Sequence, residues 1–245
     1  MTKRKVCWIS AGVSSFIAGY LAKDVDEWIY IDIGDQHPDS MRFIRDCETA
    51  IGKEIQVLKS QEYNCVEDCA RAFGGFRATN GFAPCTNWLK KRVRKEWELE
   101  HSDYELTYVW GFDLNEKNRA ERMVEANPQA AHEFPLIDRG LSKEEVHGLF
   151  YQLFSFQRPL MYRLGYPNNN CLGCIKGGMG YWNRIRRDFP EVFECRAKLE
   201  RQLGYAILKD SNGPVYLDEL DPDRGDMDME VFPDCGIMKS EAKRS

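Results

Sequence analysis

Short apolar runs separated by helix-length segments constrain this chain more than any other feature. Residues 6–9 (VCWI) are apolar throughout and β-branched at both ends, as expected of a strand buried on both faces. Residues 28–33 (WIYIDI), 55–58 (IQVL) and 106–111 (LTYVWG) read as further strands, and 134–137 as a fifth. Between them lie helical patterns. A Ser/Gly turn leads into a helix over 14–22. Pro38 and Asp39 open another, whose Phe43, Cys47, Ala50 and Ile51 share a face before Gly52 stops it. Helices are also expected over 64–73, 86–98 and 115–126. Ser142 and Glu145 form a capping box ahead of Val146, Leu149, Phe150 and Leu153. A last helix, over 190–204, has Val192, Cys195, Leu199 and Leu203 inward. Such alternation gives the fold class: an α/β chain, a three-layer α/β/α sandwich with a mostly parallel sheet of roughly five strands.

The 245 residues make one large domain with a tail. Residues 1–215 are expected to be the α/β domain, and 216–245 an acidic, weakly structured tail carrying Cys235. A domain of this size buries roughly 70–75% of its unfolded surface and needs no disulfides. The nine cysteines, scattered and odd in number, suit a reducing compartment and metal-binding or catalytic thiols. The net charge of −5 disfavours general nucleic-acid binding, although a nucleic acid remains a conceivable acceptor. Residues 3–22 have the outline of a signal peptide, but Ser10, Gly12, Ser14 and Ser15 interrupt it. No stretch approaches the ~18 apolar residues of a membrane span. The expectation is a cytoplasmic protein without membrane contact.

Ligands of parallel sheets bind beyond the carboxyl ends of the strands. The loop Ser10-Ala11-Gly12-Val13-Ser14-Ser15 would offer an anion helix N–H groups and hydroxyls there. The same residues also suit an ordinary turn, and the loop is neither a Walker loop nor a dinucleotide fingerprint. In residues 168–181 (NNNCLGCIKGGMGY), Cys171 and Cys174 precede Lys176, Gly177, Gly178 and Gly180. Thiols at that spacing suit one metal ion, and glycines beside a lysine suit an anion. Lys90, Arg119 and Arg122 are candidate oxyanion contacts, with a solvated helix face as the plainer reading of the run at 90–95. Cys7, Cys47, Cys65, Cys69 and Cys195 read as core residues.

The first loop resembles the SGGxDS loop of the adenine-nucleotide alpha-hydrolase (PP-loop) superfamily, with Ala11 for one glycine and Ser14 for the aspartate. The segment from Ile31 through Asp32, Gly34 and Pro38 is similar to the "DTG…PET" turn of its phosphoadenylyl-sulfate (PAPS) reductase branch. Cys85-Thr86 with Leu89-Lys90, Arg158-Pro159-Leu160, the Cys171/Cys174 pair and Asp234-Cys235-Gly236-Ile237-Met238 match that branch in order. The matches span residues 5–238. The resemblance implies an adenosine nucleotide (adenylyl sulfate or ATP) held by Ser10, Gly12, Ser14, Ser15, Asp32, Gly34, Lys90, Arg119, Lys176, Gly177 and Gly178. It implies Cys85, Cys171 and Cys174 as ligands of a [4Fe-4S] cluster or Zn²⁺, with Cys235 either a fourth ligand or the reductase nucleophile. Pro84 replaces a cysteine of the cluster-bearing enzymes, and Met238 a histidine. Loss of the loop aspartate, which suits Mg²⁺, favours sulfonucleotide-reductase-like chemistry, with a thioredoxin-like thiol donor and a homodimer among the expected partners. The alternatives are an ATP-dependent adenylating or sulfur-transferring enzyme and a non-catalytic nucleotide- or metal-binding protein.

Overall fold

The computed structural model describes residues 2–77 and 83–230. Five parallel strands form one sheet: β1 (Thr2–Ile9), β2 (Glu27–Ile31), β3 (Ile55–Leu58), β4 (Tyr104–Val109) and β5 (Ala131–Glu133), in the order β3-β2-β1-β4-β5. In the central strand, Cys7 pairs with Trp28 on one side and with Val109 on the other. The expected three layers are present. Cys7, Ile9 and Tyr30 face α1 (Val13–Ala22) and α2 (Asp39–Ile51), where Phe16 and Phe43 join one core. Val6, Ile29 and Tyr108 face the opposite way and pack with Trp97, Ala120 and Met123.

The fifth strand is displaced from its expected place. It lies at Ala131–Glu133, while Pro135 opens a short helix through Asp138. Proline has no N–H for a sheet ladder but fits the first turn of a helix. α3 (Val66–Phe73) is followed by α4 (Pro84–Thr86), which continues through a π-helical turn (Asn87–Lys91) into α5 (Arg92–Glu100). After β4 come α6 (Lys117–Ala126), α7 (Pro135–Asp138), α8 (Lys143–Leu153) and α9 (Leu160–Arg163). The Ser142/Glu145 capping box at the start of α8 forms as read from the sequence.

α10 (Met179–Asp188) and α11 (Pro190–Leu203) build a third core with α3 and the CxxC segment. Cys195, expected inward on α11, is exposed. The buried face carries Phe193, Arg196, Ala197, Leu199 and Glu200 instead. Two charged groups are inside because each has partners. Arg196 ion-pairs with Asp35 at 2.6 Å, and Glu200 accepts the N–H groups of Ile207 and Leu217 at 2.5 and 2.6 Å. The expectation of weak structure beyond 216 fails up to residue 230. A hairpin, β6 (Leu208–Asp210) and β7 (Gly213–Val215), leads to a segment in which Leu217, Leu220 and Met227 are buried. Arg186 donates to the Leu217 and Leu220 carbonyls, so α10 serves as its docking surface.

Candidate functional site

The chain leaves β1 toward β2 and β3, then returns to β4 on the other side of β1. The loops after β1 and β4 therefore flank the topological switch point, where open α/β sheets bind ligands. A cavity of about 970 Å³ lies there. Ser10, Gly12, Ser14 and Ser15 line it from the β1 side, and Gly111, Phe112 and Asp113 from the β4 side. The two loops touch at backbone level: a Cβ on Gly111 would sit 2.5 Å from the Ser15 Cα.

The first loop is a braced turn. Ser15 Oγ accepts the Ser10 N–H and donates to the Gly12 carbonyl, both at 3.0 Å. Ala11 has φ 54°, the left-handed region that favours glycine, which gives a conformational reason for the glycine in the resembling loop. The Tyr162 hydroxyl packs against the loop, 3.1 Å from where a Cβ on Gly12 would sit, and burial pushes its pKa up to about 12. It thus remains a phenol beside the loop.

Lys90 and Arg119 line the opposite wall. Arg119 ion-pairs with Glu116, and its guanidinium lies 4.2 Å from the centre of the Phe112 ring. Burial lowers the Lys91 pKa, helped by the charges of Lys176 and Arg94, so this wall concentrates positive charge. Burial likewise raises the Asp113 carboxyl and lowers the Lys143 ammonium, each partly opposed by the other's charge. Lys143 Nζ donates to Asn168 Oδ1 at 2.7 Å. The wall thus offers an anionic ligand fixed cations, backbone N–H groups and two ionisable groups displaced toward neutrality. Sequence patterning gives no sign of Lys143 or Tyr162 as cavity residues. Only adjacency to the CxxC marks the asparagines at 168–170, which line the cavity as well.

The remaining candidates lie elsewhere. Asp32 accepts the Gly34 N–H at 2.9 Å and pairs with Lys59 at 2.8 Å. Gly34, at φ 77°, leaves no space for a Cβ against the Asn64 carbonyl. Both shape the turn after β2 and do not line the cavity. Gly177 and Gly178 do not line it either. A Cβ on Gly177 would strike the Tyr181 ring at 2.0 Å, and one on Gly178 the Glu230 carboxylate at 2.5 Å. Glu230 accepts the N–H groups of Gly180 and Tyr181 at 2.6 and 3.1 Å. The chain's own carboxylate thus takes the N–H groups at this helix start. Lys176 does not line the cavity, and its charge acts on Lys91, which does. Arg122 caps the Asn118 carbonyl on its own helix.

Cys85, Cys171 and Cys174 line one small cavity of about 10 Å³ beside the large one, and Cys171 and Lys90 line both. The Tyr181 hydroxyl accepts the Cys174 N–H and donates to the Cys171 carbonyl, both at 2.9 Å. Cys69, in the same core, is pushed up to about 12 by burial. Among the described residues no group of three or more His, Cys, Asp or Glu side chains is placed to hold a metal ion. Cys235 lies outside the described residues. Among the described residues no helix is long and apolar enough to cross a membrane.

No protein-family model and no curated protein matches the sequence. Among solved structures, the chain is similar to a crystal structure of the phosphoadenylyl-sulfate (PAPS) reductase from Candida auris in complex with phosphate. The likeness has a TM-score of 0.52 at 14% identity, over 71% of this chain and 83% of that one. By fold, this chain is a PAPS reductase-like α/β protein.

Proposed function

We propose that this protein is an enzyme that binds an adenosine nucleotide in the switch-point cavity and acts at its phosphate or sulfate end. One observation carries the reading: the serine loop after β1 and the cations Lys90 and Arg119 line the same cavity. The phosphate held by the structurally similar reductase supports an oxyanion as the ligand's reacting end. The chemistry we infer is thiol-dependent and sulfonucleotide-reductase-like. A Cys235 thiolate attacks the sulfonyl sulfur, an S–S bond forms, and the S–O bond breaks with its electron pair leaving on the nucleotide phosphate. A second thiol, from a thioredoxin-like donor, then attacks the cysteine sulfur and releases sulfite as a disulfide forms. Lys90 and Arg119 would stabilise the charge gathering on the leaving phosphate.

A second reading rests on a different observation, the two residues, Lys90 and Cys171, shared by the thiol-lined and large cavities. It is an ATP-dependent adenylating or sulfur-transferring enzyme. Incubation with ATP, and with adenylyl sulfate or its 3′-phosphorylated form and a dithiol, separates the two readings. Sulfite release that is lost in Cys235→Ser supports the first. Pyrophosphate release from ATP, without sulfite release, replaces it by the second.

A further inference from the structure

Lys143, in the first turn of α8, is a half-buried cation that lines the large cavity. Its ammonium enters no ion pair among the described residues. Nζ donates instead to a neutral acceptor, Asn168 Oδ1, at 2.7 Å. Carboxylates are near, but they are engaged elsewhere. Asp113 Oδ1 accepts the Asn115 N–H at 2.9 Å. Glu116 accepts the Asp113 N–H at 3.2 Å and pairs with Arg119, while Glu144 is exposed to solvent. A charge drawn out of water calls for a counter-charge. Burial lowers the Lys143 pKa, as expected of an ammonium without a close one.

The groups around the ammonium belong to the cavity. Its acceptor Asn168 lines it, and so do the charged side chains that act on it, Asp113, Glu116, Glu144 and Arg119. Lys143 also lies at the seam of the two loops that flank the switch point. Asn169, next to its acceptor, donates to the Ala11 carbonyl of the first loop at 2.8 Å. Leu141, just ahead of α8, offers its carbonyl to the Leu114 N–H beyond β4, also at 2.8 Å. An ammonium has three N–H donors, and Asn168 takes one. An anion seated on the serine loop would meet a cation already held in place.

We infer that Lys143 is a further oxyanion-binding residue, whose ammonium donates to the phosphate or sulfate end of the nucleotide and supplies its counter-charge. The inference rests on the nucleotide-binding reading above and adds a cation from α8 to Lys90 and Arg119. Asn168 then has a positioning role, separate from that of the thiols that follow it.

Titration followed by NMR, with adenosine, adenosine 5′-phosphate and adenosine 5′-diphosphate, tests it. The outer phosphate of the diphosphate stands in for sulfate. In Lys143→Met, affinity for the phosphorylated forms should fall about 10–100-fold, the effect of one hydrogen bond to a charged group. Adenosine, which carries no charge there, should bind within about twofold of the wild type. A fall shared by both phosphorylated forms assigns the ammonium to the inner phosphate, and a fall for the diphosphate alone assigns it to the outer oxyanion. Lys143→Gln carries the same test if the methionine variant does not fold. Unchanged affinity for both phosphorylated forms overturns the inference. So does an equal loss for adenosine, which would make Lys143 a support of the cavity and not a contact of the anion. If the wild type binds none of the three, the nucleotide-binding reading falls together with the inference.

Discussion

Two glycine-containing helix starts in this molecule carry the same sequence promise, and only one has room for a ligand. At α1, Ser10, Gly12, Ser14 and Ser15 border a cavity of about 970 Å³. At α10, Glu230 takes the N–H groups of Gly180 and Tyr181, and the glycines give way to the Tyr181 ring and to the backbone of residues 226–227. The glycines of the second site are needed for close packing, those of the first for an open turn. A helix N-terminus attracts a carboxylate as readily as a phosphate. Whether it binds a ligand depends on whether the chain supplies the carboxylate itself.

The contrast can be strained at several points. The largest effect is expected where the packed side is tied to the sheet edge. Asp35 pairs with the buried Arg196, accepts the Val66 N–H at 2.6 Å, and offers its carbonyl to the Leu172 N–H at 2.7 Å. Burial raises its pKa even beside Arg196. Asp35→Asn leaves a buried guanidinium uncompensated and should lower stability by about 3–5 kcal/mol in urea unfolding.

Glu200 supplies a pH test of the same side. Burial pushes its pKa up to about 7 from the ordinary 4.5, against two backbone donors. Between those values the native state holds more proton than the unfolded chain, so stability declines as pH rises through that window. The loss is about 3 kcal/mol at most, and Glu200→Gln should remove this part of the pH profile. On the cavity side, Arg119→Ala should weaken nucleotide binding by about 10–100-fold with little change in unfolding midpoint. The smallest effect belongs to Glu230→Gln, about 1 kcal/mol of stability with nucleotide affinity unchanged. A large rise in affinity in this variant would mean that α10 competes for the ligand after all.

Much of the fold is legible in the sequence because buried parallel strands must be apolar on both faces. Residues 6–9 and 55–58 announce themselves in this way. Glu133, by contrast, closes a strand with little apolar signature of its own, placed by pairing with Val109. The Ser10–Ser15 loop is legible for a local reason, its position between a strand and a helix. Residues joined by tertiary contact are not. Nothing near Arg196 or Glu200 in the sequence predicts a buried charge, since Asp35 is remote in sequence and the 207–217 segment turns through an unforeseen hairpin. The glycines at 177–180 mislead for the same reason: their partner, Glu230, arrives from fifty residues downstream. Tyr162 and Asn169 reach the cavity only because α9 and the asparagine run fold back over the first loop.

Backbone hydrogen exchange in the presence and absence of adenylyl sulfate tests the central claim most directly. Nucleotide should slow exchange in peptides covering residues 10–16 and 111–119 and leave residues 176–182 unchanged, because the second cradle is already filled. Slowed exchange at 176–182 without any effect at 10–16 would contradict the account.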